Sequence, residues 1–416
     1  MGLSPTRSDD EMNCSSQPET NYRWYVLSVA ALTHTLAVAI PSMCLPVLFT
    51  EMARDLNLSL VQIGLVWGIG ALPGVVTGLV GGVIGDRFGT RRTLGAACLL
   101  VGAAGALRGT SGDLVTLGAT VVLFGLLSSM IPMNVHKTCG TWFSQQQLGL
   151  ANGVASMGMA LGFTLGSMVS ATLMSPWLGG WRHVLFVYGA AAMALSLPWY
   201  FMRPAPVDAG RPTGEIDSKP LRRTLAHIAG VRRVWLLGWA ILGINGCIQG
   251  ALGYLPLYLR GIGWPGASAD AALAAFNAVS MTFAIPIALG SDRLGSRRTV
   301  LMAGALMVIA GFGLLSIVDG ALVWVAVGIA GLVRDGFMAV FMTTIIETRG
   351  VGPAYAGTAI GLTTAFSALG NLIAPPVGNS LAGLAPGLPF VFWAGLAVMG
   401  LLGLYLAKES PPVRAG

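Results

Sequence analysis

The chain has 416 residues, 54% of them hydrophobic and only 10% charged, with 58 glycines and a mean hydropathy of +0.73. A soluble domain carries roughly 25% charged residues, so this composition cannot cover such a chain against water and excludes a soluble enzyme. The net charge of +7 would suit a nucleic-acid partner, but the basic residues sit at alternate ends of successive apolar stretches, the pattern that sets orientation in a membrane.

Residues 1–22 are polar and lack an apolar h-region, which predicts a cytoplasmic N-terminal tail with no cleavable signal peptide. A bilayer span needs about 20 mostly apolar residues. Polar turns and Gly/Pro punctuation divide the rest into spans near 24–46, 61–83, 93–111, 114–137, 148–174, 183–203, 234–259, 268–290, 299–318, 320–346, 355–383 and 387–407. The polar stretch 204–233, with Pro204, Pro206, Pro212 and Pro220 among its charges, predicts a flexible cytoplasmic linker. It separates two six-helix bundles, 23–203 and 234–407, and residues 408–416 form a second cytoplasmic tail. The expected fold class is therefore an all-α integral membrane protein of twelve transmembrane helices in two pseudo-symmetric six-helix bundles. It is placed in the inner (cytoplasmic) membrane with both termini cytoplasmic. Most of the 24 Lys and Arg then fall inside, Arg54, Arg108, Arg182 and Arg260 fall outside, and Arg334 falls within a span.

Internal repetition supports the two halves. Gly85-Asp86-Arg87-Phe88-Gly89-Thr90-Arg91-Arg92-Thr93 recurs as Ser291-Asp292-Arg293-Leu294-Gly295-Ser296-Arg297-Arg298-Thr299, and Gly149, Gly153 and Gly162 are echoed by Gly357, Gly361 and Gly370. Such distant repeats mean two equivalent bundles, an architecture of secondary transporters with the substrate site at their interface near the midplane.

The first copy, with Gly82 ahead of it, resembles the loop motif after helix 2 of the major facilitator superfamily, and the second copy repeats it after helix 8. The resemblance implies a gating role for Gly82, Asp86, Arg87, Gly89, Arg91 and Arg92, with Asp86 facing the start of helix 11. The corresponding Asp292, Arg293, Gly295, Arg297 and Arg298 follow an Ala288 where the first copy has Gly82. Tyr22-Arg23-Trp24-Tyr25, Trp142-Phe143 and Gly180-Trp181-Arg182 resemble the monocarboxylate, oxalate and cyanate permease branches, which implies a small anion as cargo. Drug-exporting members carry a Gly-Pro pair in helix 5, where this chain has Gly162-Phe163. The stripe Gly158, Gly162 and Gly166 also has a plain use, close packing of helix backbones.

Arg334 and Asp335, near the middle of the tenth span, are read as the only clearly intramembrane charges, costing on the order of 2.5–3.5 kcal/mol each. Adjacent helical positions point about 100° apart, so the two are expected to need separate partners. Arg334 is a candidate cation for a carboxylate substrate, and Asp335 a candidate carrier of the coupling proton. A buried ion pair or helix-to-helix bond without substrate contact is the competing possibility. His34 in the first span would relay a proton or bind cargo, or else bond a neighbouring carbonyl. Asn245 and Gln249 share one face of the seventh span. The resemblance, in which helices 1, 4, 7 and 10 line the central path, implies that His34, Asn134, Asn245, Gln249 and Arg334 lie in one region. His136 and Lys137 at the inner end of the fourth span are read mainly as interface anchors. Pro41, Pro46, Pro375 and Pro376 would bend the first and eleventh spans.

No phosphate-binding loop and no metal-spaced His/Cys cluster is present in the sequence, and Cys14, Cys44, Cys98, Cys139 and Cys247 read as free thiols. No cofactor, metal, nucleotide or nucleic acid is expected; the expected partners are a small anion, protons and membrane lipid. The combined expectation is uptake of a small anion, a monocarboxylate, with a proton by alternating access, the alternative being a proton-coupled multidrug efflux antiporter.

Overall fold

The computed structural model describes residues 22–73, 84–85, 87–203 and 221–407. The predicted tails, most of the predicted linker and much of the second predicted span, with Gly82, Asp86 and Cys14, lie outside the described residues. Among the described residues there is no strand, and eleven helices are long and apolar enough to cross a membrane. In chain order these are α1 (Tyr22–Asp55), α3 (Thr90–Thr110), α4 (Leu114–Trp142), α5 (Gln146–Leu178), α6 (Trp181–Phe201), α7 (Arg232–Gly261), α8 (Gly266–Leu294), α9 (Arg297–Leu314), α10 (Ala321–Ile346), α11 (Tyr355–Gly383) and α12 (Leu388–Leu406). The remaining α2 (Leu60–Ile69) opens the second predicted span.

Short turns join antiparallel neighbours, so the two arginine-bearing repeats, before α3 and before α9, share one end of the molecule. The turns α1/α2 and α3/α4 lie at the opposite end. There the helices start on capping boxes: Ser59 Oγ accepts from Gln62 N while Gln62 Oε1 accepts from Ser59 N, and Asp113 does the same with Thr116. These bonds satisfy amides that an apolar helix start leaves open.

Three long helices are irregular. In α1 the segment His34–Ala39 is a π-helix; Pro41 follows it and has no N–H to continue the ladder, which is the local cause of the widened turn. In α4 the regular helix stops at Ser128 and resumes at Met130, and in α10 it stops at Leu332 and resumes at Arg334. The two breaks occupy equivalent helices of the two halves.

Lipid chains are as apolar as the helices, so association depends on close backbone approach. A Cβ on Gly158 would lie 2.7 Å from Ala31 O, one on Gly162 2.9 Å from Thr35 O, and one on Gly166 2.9 Å from Ile40 O. The stripe thus seats α5 on α1, and Thr35 Oγ1 donates to Gly158 O (2.7 Å) across the seam.

Across the halves, α2 packs on α11, α5 on α8, and α1 and α2 on α7. All of the polar bonds described for these seams lie toward the end away from the arginine-rich turns. Asn379 Nδ2 donates to Leu60 O (2.8 Å), Trp67 Nε1 to Gln249 O (2.7 Å), and Arg260 Nη1 to Val47 O (3.2 Å). The wholly buried Asp270 accepts from Thr172 Oγ1 of α5 and from Arg260 Nη2, both at 2.6 Å.

The second part of the predicted flexible linker is structured. Leu221–Ala229 forms a short helix, whose His227 stacks on Tyr355 (4.4 Å between centroids) and donates from Nε2 to Gly350 O (2.8 Å). The proline-rich part that motivates the expectation ends at Pro220, just before this helix.

Candidate functional site

A cavity of about 360 Å³ lies between the two halves. Its walls come from α1 (Ser42, Met43), α2 (Trp67), α3 (Arg108), α4 (Phe124, Ser128), α5 (Phe163), α7 (Asn245, Gln249), α10 (Arg334, Asp335, Met338) and α11 (Asn371), among others. Both helix breaks reach it: Ser128 precedes the break in α4 and Arg334 follows the break in α10. A helix that restarts inside the membrane exposes fresh backbone amides there. One of them, Asp335 N, is satisfied by Ser280 Oγ of α8 (3.2 Å).

Arg334 is held from several sides. Nη1 donates to Asn277 Oδ1 (3.0 Å), and the guanidinium carbon lies 5.3 Å from the Phe163 ring centre and 5.9 Å from that of Phe276. The side chain keeps 19% of its surface exposed. The expectation of separate partners is corrected in part: Arg334 hydrogen-bonds to Asn277, but its Nε also lies 3.7 Å from Asp335 Oδ1. Both residues occupy the first turn after the break, where the regular angular spacing does not apply, and the arginine stem is long enough to fold back. The contact is Coulombic, and its length leaves the carboxylate, 34% exposed, open to the cavity.

Arg108 is the residue that the sequence misplaces. The sequence puts it in an outside turn, and the structure buries it fully in the cavity wall. Its Nη1 donates to Pro41 O (2.9 Å), its guanidinium carbon lies 3.9 Å from the Phe124 ring centre, and its Nη2 has no hydrogen-bond partner among the described residues. The polar run Arg108-Gly109-Thr110-Ser111-Gly112-Asp113 reads as one turn. In three dimensions its first residue belongs to the last turn of α3 and points inward. With Asp270 also wholly buried, Arg334 and Asp335 are not the only intramembrane charges. Trp67 and Asn371 are further cavity residues with no pattern in the sequence to single them out.

Of the other predicted site residues, Asn245 and Gln249 line the cavity; Asn245 Nδ2 donates to Ser367 Oγ of α11 (2.6 Å). His34 and Asn134 are buried within the first half, away from this lining. His34 Nδ1 donates to Ala155 O (2.9 Å), and its ring meets that of His136 edge-on at 5.7 Å; His136 Nδ1 in turn donates to Asn152 Oδ1 (3.0 Å). Asn134 packs against Gly85, where a Cβ would lie 1.8 Å from Asn134 Oδ1, so a side chain at this position would displace the Asn134 amide.

The arginine-rich turns are built alike. Gly89 and Gly295 both hold positive φ, +83° and +66°, which a side chain resists. In each half an arginine of the turn donates to a carbonyl ending that half's last helix: Arg91 to Met202 O, and Arg298 to Tyr405 O (2.6 Å). Arg297 forks onto Glu347 at the end of α10 (2.7 and 2.9 Å) and reaches Asp292 (3.1 Å). Arg87, Arg92 and Arg293 are exposed. Among the described residues no group of His, Cys, Asp or Glu has the arrangement of a metal site.

Comparison with known proteins agrees with this architecture. The chain matches the profile of the Major Facilitator Superfamily over residues 27–375. It is 23% identical to a probable sulfoacetate transporter of Cupriavidus necator, over 95% of this chain and 97% of the relative. It is 25% identical to a probable nitrate/nitrite antiporter of Thermus thermophilus (92% and 89%) and 26% identical to a 3-(3-hydroxy-phenyl)propionate transporter of Escherichia coli (84% and 87%). In fold it is similar to a bacterial homologue of the human lysosomal transporter Spinster, inward-facing and unoccupied (TM-score 0.75, 16% identity, 95% of this chain and 100% of the other). It is likewise similar to a mutant of the nucleoside transporter NupG (0.76, 14%, 92% and 100%). The chain is thus a multi-pass membrane transporter that belongs to the Major Facilitator Superfamily.

Proposed function

We propose that this transporter moves a small organic anion, a monocarboxylate in the simplest case, together with a proton by alternating access. The observation that carries the proposal is Arg334: a cation held by Asn277 and two aromatic rings, with part of its surface left facing a mostly apolar cavity between the halves. A fixed guanidinium in a low-dielectric pocket is a strong site for a carboxylate. Asp335 is the proton carrier, because it shares the cavity with that anion and approaches Arg334 without a hydrogen bond; His34, bonded to Ala155 O, is assigned to packing within the first half. The three relatives above are named for anionic cargo, which supports the same class. The arginine-rich end is assigned to the cytoplasm by its charge. Its turns, with Asp86, Arg87, Arg91 and Arg92, are assigned to gating there, and residues 23–203 and 234–407 to the two rocking bundles.

The test is thermal unfolding of the purified wild type and Arg334→Gln against small carboxylates, nitrate, sulfoacetate and lipophilic cations, since a ligand that binds the folded state raises apparent stability. Anions are expected to stabilise the wild type and not the variant, with the two proteins equally folded when no ligand is added. Stabilisation by lipophilic cations alone would replace this proposal with the efflux antiporter.

A further inference from the structure

Arg108 has no role in the single-anion site built on Arg334. It approaches the same cavity from the other half, on α3, and among the described residues no carboxylate pairs with it. A buried cation without a counter-ion is costly to keep, and removing both the charge and its partners from water is tolerated only where something recovers the loss. Its guanidinium offers five donors; Nε uses Gly105 O (3.4 Å) and Nη1 uses Pro41 O, while the buried Nη2 has no partner among the described residues. Phe124 covers one face of the group at 3.9 Å and fixes its plane. The side chain is therefore pre-oriented within the cavity wall, with donor capacity at Nη2 that no described residue takes up.

The charges of the lining can be counted. Among the described residues, the charged side chains that line the cavity are Arg108, Arg334 and Asp335. Asp335 has Arg334 beside its carboxylate on its own helix and Ser280 of α8 on its backbone N–H, and Arg108 of α3 lines the same cavity. With all three ionised the cavity carries one net positive charge, so a monoanion brings it to neutrality and draws a proton to Asp335 less strongly than a dianion does. A dianion leaves one negative charge in excess, and a carboxylate crowded by further negative charge takes up a proton. Proton coupling and two arginines thus fit together when the cargo has two acidic groups.

Resting on the anion site proposed above, we infer that the cavity recognises a small dianion, two acidic groups on a short spacer, with one group on Arg334 and the other on Arg108, and that Asp335 is protonated in the loaded state. The two arginines belong to different halves, so a bridging dianion ties α3 to α10 in a way that a monoanion does not.

The test compares malonate with acetate, and methanedisulfonate with methanesulfonate, by ligand-dependent melting of the full-length protein in detergent. A hydrogen bond to a charged group is worth about 1.5–3 kcal/mol, so the dianion of each pair is expected to bind about tenfold tighter or more. Arg108→Gln is expected to weaken the dianion more than the monoanion, because it removes a direct contact from the one and only a shared positive charge from the other, and so to erase the preference; Arg108→Lys is expected to retain part of it. Should Arg108→Gln fail to fold, the wild-type pairs and Arg108→Lys decide the matter alone. Methanedisulfonate has no titratable proton of its own, so its binding in a weakly buffered dye solution is expected to draw a proton from the medium in the wild type and not in Asp335→Asn. Equal binding of monoanion and dianion, or loss of both together in Arg108→Gln, would overturn the dianion and leave the anion transporter standing. Dianion binding without proton uptake would overturn the role of Asp335 in the loaded state. If no anion of any charge stabilises the protein, this inference falls together with the proposal beneath it.

Discussion

Single residues in this chain divide into those set by close packing and those set by charge, and the two respond differently to substitution. At Gly162 any side chain would press on the Ala39 methyl and the Thr35 backbone, within 3.0 Å of each, and neither can move without shifting α1. Gly162→Val is therefore expected to lower stability by about 1–3 kcal/mol, the usual cost of overpacking, read as a fall in melting temperature in detergent. Gly149 lies near the start of the same helix, and a Cβ there would meet nothing within 4 Å. Gly149→Ala is expected to be neutral or stabilising by roughly 0.5–1 kcal/mol, because it removes backbone freedom from the unfolded chain without a clash. The pair separates a packing glycine from an incidental one within a single helix.

Helices meet across the two halves through a few polar ties embedded in apolar surface. Asp270 on α8 has no exposure and is held by Arg260 and by Thr172 of α5. Removing one partner of a buried pair strands the other, which costs on the order of 3–5 kcal/mol, and the 18% exposure of the Arg260 side chain places this case toward the lower figure. Asp270→Ala is expected to melt well below the wild type. Asp270→Asn, which keeps an acceptor for Thr172, is expected to fall between the two. The Arg297–Glu347 contact at the arginine-rich end is more exposed, so Glu347→Gln is expected to change stability by less than about 1 kcal/mol. Equal losses for Asp270→Ala and Glu347→Gln would remove the distinction between the two ends.

At the scale of the whole molecule, the polar seams described between the halves all lie away from the arginine-rich turns, and the glycines that permit them mark where the halves close. Gly253 on α7 leaves room for the Trp67 ring, which would lie 2.4 Å from a Cβ, and Gly64 and Gly68 bring α2 against the α11 backbone. A carrier of this kind exchanges between states separated by a few kcal/mol, so a wedge at one seam shifts the population. Gly253→Val is expected to favour opening at this end. In a background without the native cysteines, Ser42→Cys in the cavity wall is then expected to react faster with a membrane-impermeant thiol reagent added from this side than it does with Gly253 intact. Unchanged labelling would mean that the seam closes without help from Gly253.

The apolar stretches, their lengths and the duplicated arginine turn determined the membrane class, the positions of the helices and the two-fold repetition. These properties depend on local composition and on the roughly 1.5 Å rise of a helix, both of which are written along the chain. Asn245, Gln249 and Arg334 were legible as cavity residues for a related reason: a polar group in an otherwise apolar span stands out against its neighbours. Arg108 was not, because it opens a polar run at a helix end, and only the packing of α3 against α1 and α4 turns it inward onto Pro41 and Phe124. His34 and Asn134 show the converse, since polar residues in the expected helices are directed into the packing of their own half by contacts with α5 and with Gly85. The tertiary structure alone decided which charges share a cavity, because that depends on the rotation of each helix about its axis, and the rotation is set by which glycines its neighbours present.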